Sequence, residues 1–306
     1  NCIGRMAEGI RSLEAEIDYI FSGDCEQAFP KFLQDLADGT LPDYPVISGN
    51  LCEDMDALPV PVYKEYYEQY TRFASEETTA LPDTIWLTYE TNRSVRSREK
   101  QMGGPGNRES VQIHEKSTDR MLVELQTLLE YHPNNNVCLI DVTESPSHLQ
   151  NQLPQLAEMF PDLHMIATQT PPLTLERACL LKRVGVHTIQ ADINALSTTF
   201  LMAMKKGVTA AQNLTLLRYA GVAGLRVAWS LLHGFPGDRL EWYEKTRSLL
   251  PYLAHLQPPL GVFPVTLDRH SPYFLGAPAY GIQYMRPLDA YFEVLPPHAN
   301  INAIAN

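Results

Sequence analysis

No two cysteines of this chain are two residues apart, and no apolar run approaches the ~18 residues of a membrane span. Its five cysteines, at 2, 25, 52, 138 and 179, are odd in number and scattered, which argues against a secreted disulfide framework and a zinc ribbon. The expectation is reduced thiols, mostly buried, in a cytoplasmic protein. Positive charge is scarce as well. Lys and Arg number 24 against 36 Asp and Glu, a net charge of −12 that leaves no basic surface for nucleic acid but does not exclude a basic peptide. The histidines are dispersed too. His164 and His187 sit in strand-like apolar runs and read as packed or hydrogen-bonded rather than as metal ligands. The chain opens at Asn1 with nothing like a signal peptide, and reads as a fragment of a longer protein.

Residues 1–40 read as a helix, a strand (Ile17 to Phe21) and a second helix from about Glu26. The second helix is expected to bury Phe29, Phe32, Leu33 and Leu36. Residues 41–84, rich in Pro and Tyr, read as a linker. From Ile85 strands and helices alternate. Strands are expected at 85–89, 137–141, 164–168, 187–190, 226–232 and 261–265. Helices are expected near 118–131, 147–159, 175–184, 197–205, 210–223 and 239–253. Ser117 and Thr174 are in N-cap positions, and Gly185 follows a helix. Alternation of this kind implies a parallel sheet. Six units are too few for a closed eight-stranded barrel and fit an open (β/α)6 barrel or a doubly wound sheet. Residues 268–306 read as an irregular extension with a frayed end.

The segment Tyr89-Glu90-Thr91-Asn92-Arg93-Ser94-Val95, with Glu99-Lys100 and the glycines after it, resembles the loop E-T-S-R-G-C-W-W-G-E-K-H-H-C-x-F-C-G. That loop holds a [4Fe-4S] cluster in one branch of the radical SAM enzymes. Other segments are similar to the same branch in the same order. Ile17-Asp18-Tyr19-x-Phe21-Ser22-Gly23-Asp24 matches the end of its cobalamin-binding domain. Lys206-Gly207-Val208-Thr209-x-x-Gln212-Asn213 matches K-G-V-T-x-x-Q-N. Trp229-x-Leu231-Leu232-x-Gly234-Phe235-Pro236-Gly237-Asp238 matches W-N-L-L-x-G-F-P-G-E. Leu267-Asp268-Arg269-x-Ser271-Pro272-Tyr273-Phe274 completes the series. The chain thus resembles the B12-binding radical SAM proteins of the ribosomal-peptide (RiPP) maturation type. The resemblance implies a partial (β/α)6 TIM barrel of radical SAM type, at residues 85–267, preceded by a remnant of a Rossmann-like cobalamin-binding domain at residues 1–40.

The departures fall on working positions. Val95, Gly103 and Gly106 stand where the three cluster cysteines belong, and neither residue type offers a thiolate to iron. The family's G-I-E-S, whose Glu helps bind SAM, reads Asp192-Ile193-Asn194-Ala195; a Lys of the third strand is Gln169, and the Asn of W-N-L-L is Ser230. The D-x-H-x-x-G loop that supplies a lower cobalt ligand is missing. A degenerate homologue follows, a pseudoenzyme with no [4Fe-4S] cluster and no cobalamin. What remains of a SAM-like pocket is placed at Gln169, Asn194, Ser230, Gly234, Phe235, Pro236 and Gly237. The expected role is binding or accessory, with a precursor peptide or an active partner enzyme held at a rim of Phe263, Asp268, Arg269, Tyr273 and Phe274. Asp268-Arg269 also reads as an internal ion pair, with equal weight. The alternative is a cobalamin- or SAM-dependent peptide methyltransferase that keeps transfer chemistry.

Two bland readings and one functional reading accompany these. Gly103-Gly104-Pro105-Gly106 lacks the Lys-Ser/Thr of a phosphate loop and reads as a relic of the cluster loop. Arg93, Arg96, Arg98 and Lys100 read as a solvated loop face. Asp141, Asp192 and Asp238 end expected strands, where barrel sites gather. With Asn194, the first two are the catalytic candidates, and a repurposed hydrolase on Asp141 and Asp192 is a third function class.

Overall fold

The computed structural model describes residues 2, 4–13, 17–50, 52–73, 85–95, 112–132, 135–141, 152–269 and 271–305. These form two compact units. The first joins Asn1–Leu58 to Leu267–Asn306, and the second is Pro59–Thr266. No helix among the described residues is long and apolar enough to cross a membrane.

The first unit contains α1 (Arg5–Arg11), β1 (Ile20–Ser22), α2 (Ala28–Ala37) and β2 (Val46–Ser48), with β1 and β2 parallel. The turns after both strands meet. Gly49 N–H donates to Ser22 O at 2.7 Å, and a Cβ on Gly49 would lie 1.7 Å from the Asp24 carbonyl oxygen. Only glycine fits there. The burial expected for α2 is corrected. Its apolar stripe packs Phe29 and Phe32 edge-on to Phe21, yet Phe29, Leu33 and Leu36 stay 46–48% exposed, because two three-residue strands cannot cover a helix face.

The chain's far end belongs to the same unit. Residues 268–306 are more regular than expected, with α10 (Pro272–Leu275), α11 (Asp289–Val294) and α12 (Ile301–Ala305). Labels α3 to α9 and β3 to β11 belong to the second unit. The end is not frayed: α12 buries Ala303 and Ile304 against α1, where a Cβ on Gly9 would meet Ala303 Cβ at 2.9 Å.

The second unit begins inside the expected linker with α3 (Lys64–Phe73), pinned by a hydrogen bond between the Tyr67 hydroxyl and His132 Nδ1. Strands β3 (Leu87–Tyr89), β6 (Asn136–Leu139), β7 (His164–Gln169), β8 (Val186–Ala191) and β9 (Arg226–Ala228) form one wholly parallel sheet in that order. Between them run α4 (Thr118–Tyr131), α5 (Leu153–Met159), α6 (Leu175–Arg183), α7 (Thr198–Ala203) and α8 (Ala210–Ala223). Leu87, Val137, Met165 and Ile189 are at most 2% exposed and share one core with helix residues such as Met121, Leu125, Leu181 and Leu217. The caps form as the sequence dictates. Ser117 Oγ accepts from Arg120 N and Thr174 Oγ1 from Arg177 N, both at 3.2 Å, and Thr209 with Gln212 completes a capping box on α8. Gly185, at φ +90°, lets β8 start where a Cβ would strike Leu163 O at 2.3 Å.

The strand expected at 226–232 divides. Trp229 turns inward and donates its indole N–H to Gln257 O at 3.1 Å, while Gln257 brackets β9 through Val227 N and Leu225 O. Past this break, β10 (Leu231–His233) pairs in parallel with β11 (Val262–Pro264), apart from the five-stranded sheet, with α9 (Leu240–Leu249) between them. The segment after β3 is also distinctive. Strand β4 (Asn92–Val95) pairs antiparallel with β5 (Gln112–Glu115), making a ribbon in which Val95 stands opposite Gln112.

Candidate functional site

Five parallel strands place their C-terminal ends on one side of the sheet, and the side chains that follow them form the rim where such folds do chemistry. Asp141 follows β6, Gln169 ends β7, Asp192 and Asn194 follow β8, and Ser230 follows β9. Leu232 N donates to Asn194 O at 2.9 Å, which ties the start of β10 to the same rim. Each side chain's partners decide what it is free to do.

Asp141 is committed to the backbone. One oxygen accepts from Thr91 N at 2.7 Å and Asn92 N at 3.0 Å, and the other from the Thr91 hydroxyl at 2.6 Å. It fixes the exit of β3 into the β4–β5 ribbon. Asp192 is half exposed. It accepts from Asn194 Nδ2 at 2.5 Å and pairs with Lys206 Nζ at 3.0 Å. Lys206 reaches it because Lys205 and Gly207 both take left-handed conformations, at φ 53° and 72°. Among the described residues, these contacts pair neither aspartate with a second carboxylate or a histidine.

The expected SAM-like pocket is only partly open. Gln169 is 1% exposed and gives its amide to Thr170 O at 2.7 Å. Phe235 is 3% exposed and lies beside Phe200, which stacks on Trp242. Gly234 N–H donates to Asp238 Oδ2, which also accepts from Tyr243 at 2.5 Å. The turn Gly234-Phe235-Pro236-Gly237 is therefore closed by its own aspartate. Asp192 is exposed, and Asp141, Asn194, Lys206 and Ser230 are partly exposed; Gly234 and Gly237 of the turn are exposed as well.

Sequence reasoning missed a buried charge cluster beneath the ribbon. Glu124 is 0% exposed and accepts from Tyr89 Oη at 2.7 Å, Lys116 Nζ at 2.7 Å and Arg120 Nε at 2.8 Å. The Lys116 ammonium also lies 4.7 Å from the Tyr89 ring centroid. Burial first, then the bond to Glu124, pushes the Tyr89 phenol far above its ordinary pKa, so it stays protonated. The signal was present as Lys116, Arg120 and Glu124 at four-residue steps along α4 and its approach.

The expected peptide rim divides between the units. Phe263 is in β11, whereas Asp268, Arg269, Tyr273 and Phe274 belong to the first unit. Arg269 donates to the carbonyls of Ala303 and Ile304 at 3.1 and 2.6 Å, capping the C-terminal end of α12, and Tyr273 packs edge-on to Tyr280. Of the cluster-loop positions, Val95 lies in the backbone ladder of β4, while Gly103 and Gly106 lie outside the described residues. Among the described residues, no three His, Cys, Asp or Glu side chains converge as metal donors.

No family model matches the chain, and no curated protein sequence is similar to it. Solved structures are similar in fold. The cobalamin-dependent S-adenosylmethionine radical enzyme OxsB with aqua-cobalamin bound matches with a TM-score of 0.61 at 13% identity, over 90% of this chain and 42% of that one. The same enzyme with aqua-cobalamin and S-adenosylmethionine matches with a TM-score of 0.55 at 13% identity, over 90% of this chain and 40% of that one. The chain thus spans about two-fifths of the length of these neighbours. The fold is the α/β fold of the radical SAM barrels, in partial form.

Proposed function

We propose that this chain is a degenerate radical SAM homologue that binds rather than performs radical chemistry, in an accessory role to the maturation of a ribosomally made peptide. One observation carries the reading. The three positions that would ligate a [4Fe-4S] cluster are Val95, Gly103 and Gly106, none of which has a donor atom, and Val95 runs in a strand paired to Gln112. The residues present do not fit the cluster. Cys138 is on β6 and Cys179 on α6, and none of the five cysteines lies in the β4–β5 segment whose positions the cluster set would occupy.

What the rim offers instead is polar recognition. Asp192 and Lys206 form an accessible ion pair, and the Asn194 amide is oriented by Asp192. Such a set holds a ligand by charge and hydrogen bonds without a redox centre. The test is anaerobic reconstitution with iron and sulfide. The expected outcome is no stoichiometric cluster and no 5′-deoxyadenosine from SAM. A stable iron–sulfur absorbance band, with an EPR signal on reduction, rejects the reading. The shared fold with cobalamin-dependent enzymes favours a second reading, a methyltransferase-type enzyme that keeps transfer chemistry. Methyl transfer from SAM to a precursor peptide by the reconstituted, cluster-free protein would establish it.

A further inference from the structure

At the end of the sheet opposite the rim, β8 contains a defect that no element of the proposed function uses. Met165 pairs with Val186 and Ile166 with Thr188, so His187 is an extra residue with no partner on β7. Bulges in parallel sheets are rare, and a bulge re-aims the side chain it carries. Here the His187 ring is brought alongside that of His164, the first residue of β7, with centroids 4.5 Å apart. From α6, Lys182 brings its ammonium to 3.3 Å from His187 Nδ1. We propose that Lys182, His187 and His164 form an acid-gated binding site for an oxyanion of the sulfate or phosphoryl class.

The argument is one of donors and acceptors. An ammonium only donates, so His187 Nδ1 accepts from Lys182 and the ring is neutral, with its proton on Nε2. Burial, then Lys182, then His164, hold its pKa below the ordinary imidazole value. When His187 takes up a proton, Nδ1 becomes a donor and the bond to Lys182 is lost. Lys182 is then released with its hydrogen-bonding capacity unspent. Three nitrogen bases stand together, and an oxyanion satisfies them all at once. The surroundings do not neutralise them. β9 contributes Arg226, opposite Thr188, and α6 ends with Arg183 next to Lys182. Among residues 161–165, 182–188 and 225–228 the sole carboxylate is Asp162, exposed in the turn before His164. A divalent cation does not suit the site, since the ammonium already stands at Nδ1. The site is at the N-terminal ends of the strands and is independent of what the rim binds.

Sulfate is the probe, because its charge is constant across the range while that of His187 is not. Binding is measured by calorimetry at about pH 5.5 and about pH 8, on either side of the imidazole range near 6.5, against chloride of equal ionic strength. The expected result is sulfate affinity at least roughly tenfold higher at the lower pH, lost in His187→Gln with His164→Gln and in Lys182→Gln. On the unaltered protein, NMR titration of the His187 ring protons is expected to show its pKa rising when sulfate is added. Equal affinity at both pH values, affinity retained in the double histidine variant, or a His187 titration indifferent to sulfate each overturns the proposal.

Discussion

The carboxylate of Asp141 and residue Thr91 share two hydrogen bonds, at 2.7 Å to the backbone N–H and 2.6 Å to the hydroxyl, joining the ends of two neighbouring strands. An aspartate at a strand end is easily taken for a catalytic group. This one spends both oxygens on holding β3 where the β4–β5 ribbon departs.

Replacing Asp141 by Ala is expected to lower stability by about 1.5–3 kcal/mol, the usual worth of hydrogen bonds to a charged group. Urea denaturation measures it. Far-ultraviolet circular dichroism should stay unchanged for the folded variant. A loss below measurement error would show that the Thr91 contact contributes nothing to the fold.

The cluster around Glu124 predicts non-additivity. Glu124→Leu alone strands the Lys116 ammonium, which is 5% exposed, and is expected to cost about 3–5 kcal/mol. Adding Lys116→Met should recover part of that loss, since the orphaned charge is gone while Arg120 can turn to solvent. A double-mutant cycle in urea reads the coupling, and a double variant less stable than Glu124→Leu contradicts it.

Alkaline titration should show two tyrosines that ionise near pH 12, with Tyr89 later still. Burial, then the neighbouring Tyr66 and Tyr63, raises Tyr67 from 10.0 to about 12. Burial, then the bond to Asp238, raises Tyr243 to about 12 as well. Folding favours the protonated phenol in both. Their contribution is complete below the unfolded value of 10.0 and disappears as pH rises through about 12. Tyrosinate absorbance should show a late phase that shrinks in Tyr67→Phe and in Tyr243→Phe.

Arg269→Met is expected to destabilise the first unit by about 1–3 kcal/mol, because the α12 carbonyls of Ala303 and Ile304 lose a charged donor. Differential scanning calorimetry, with limited proteolysis near residue 300, reports it. A variant that melts like the parent would return Arg269 to the pool of residues available for peptide contact.

The parts of this fold legible in sequence are those with local causes. Ser117 and Thr174 announce their helices because a cap acts within three residues, and residues 187–190 read as a strand from their own apolar pattern, within the observed Val186–Ala191. What escaped depends on distant partners. The break at Trp229 needs Gln257, 28 residues on, and the capping role of Arg269 needs α12, more than 30 residues away. The exposed stripe of α2 looks like a core face because periodicity records which residues share a side, not whether anything lies against it. At the site, the substitutions at Val95, Asp192 and Asn194 were visible, but the closure of the Gly234 turn by Asp238 and the inward set of Gln169 were not.

The packing of α1 against α12 around Gly9 sets an order of events during synthesis. Residues 59–266 can close their own contacts as soon as they are made, whereas the unit that contains α1 waits for residues past 300 before α1 and α12 can pack. Until then, α1 presents a bare glycine notch, and the partner that fills it, α12, is translated only after the whole second unit. A ribosome stalled near residue 270 would therefore hold a finished parallel sheet and an incomplete first unit, a species open to chaperone capture or proteolysis within residues 1–58.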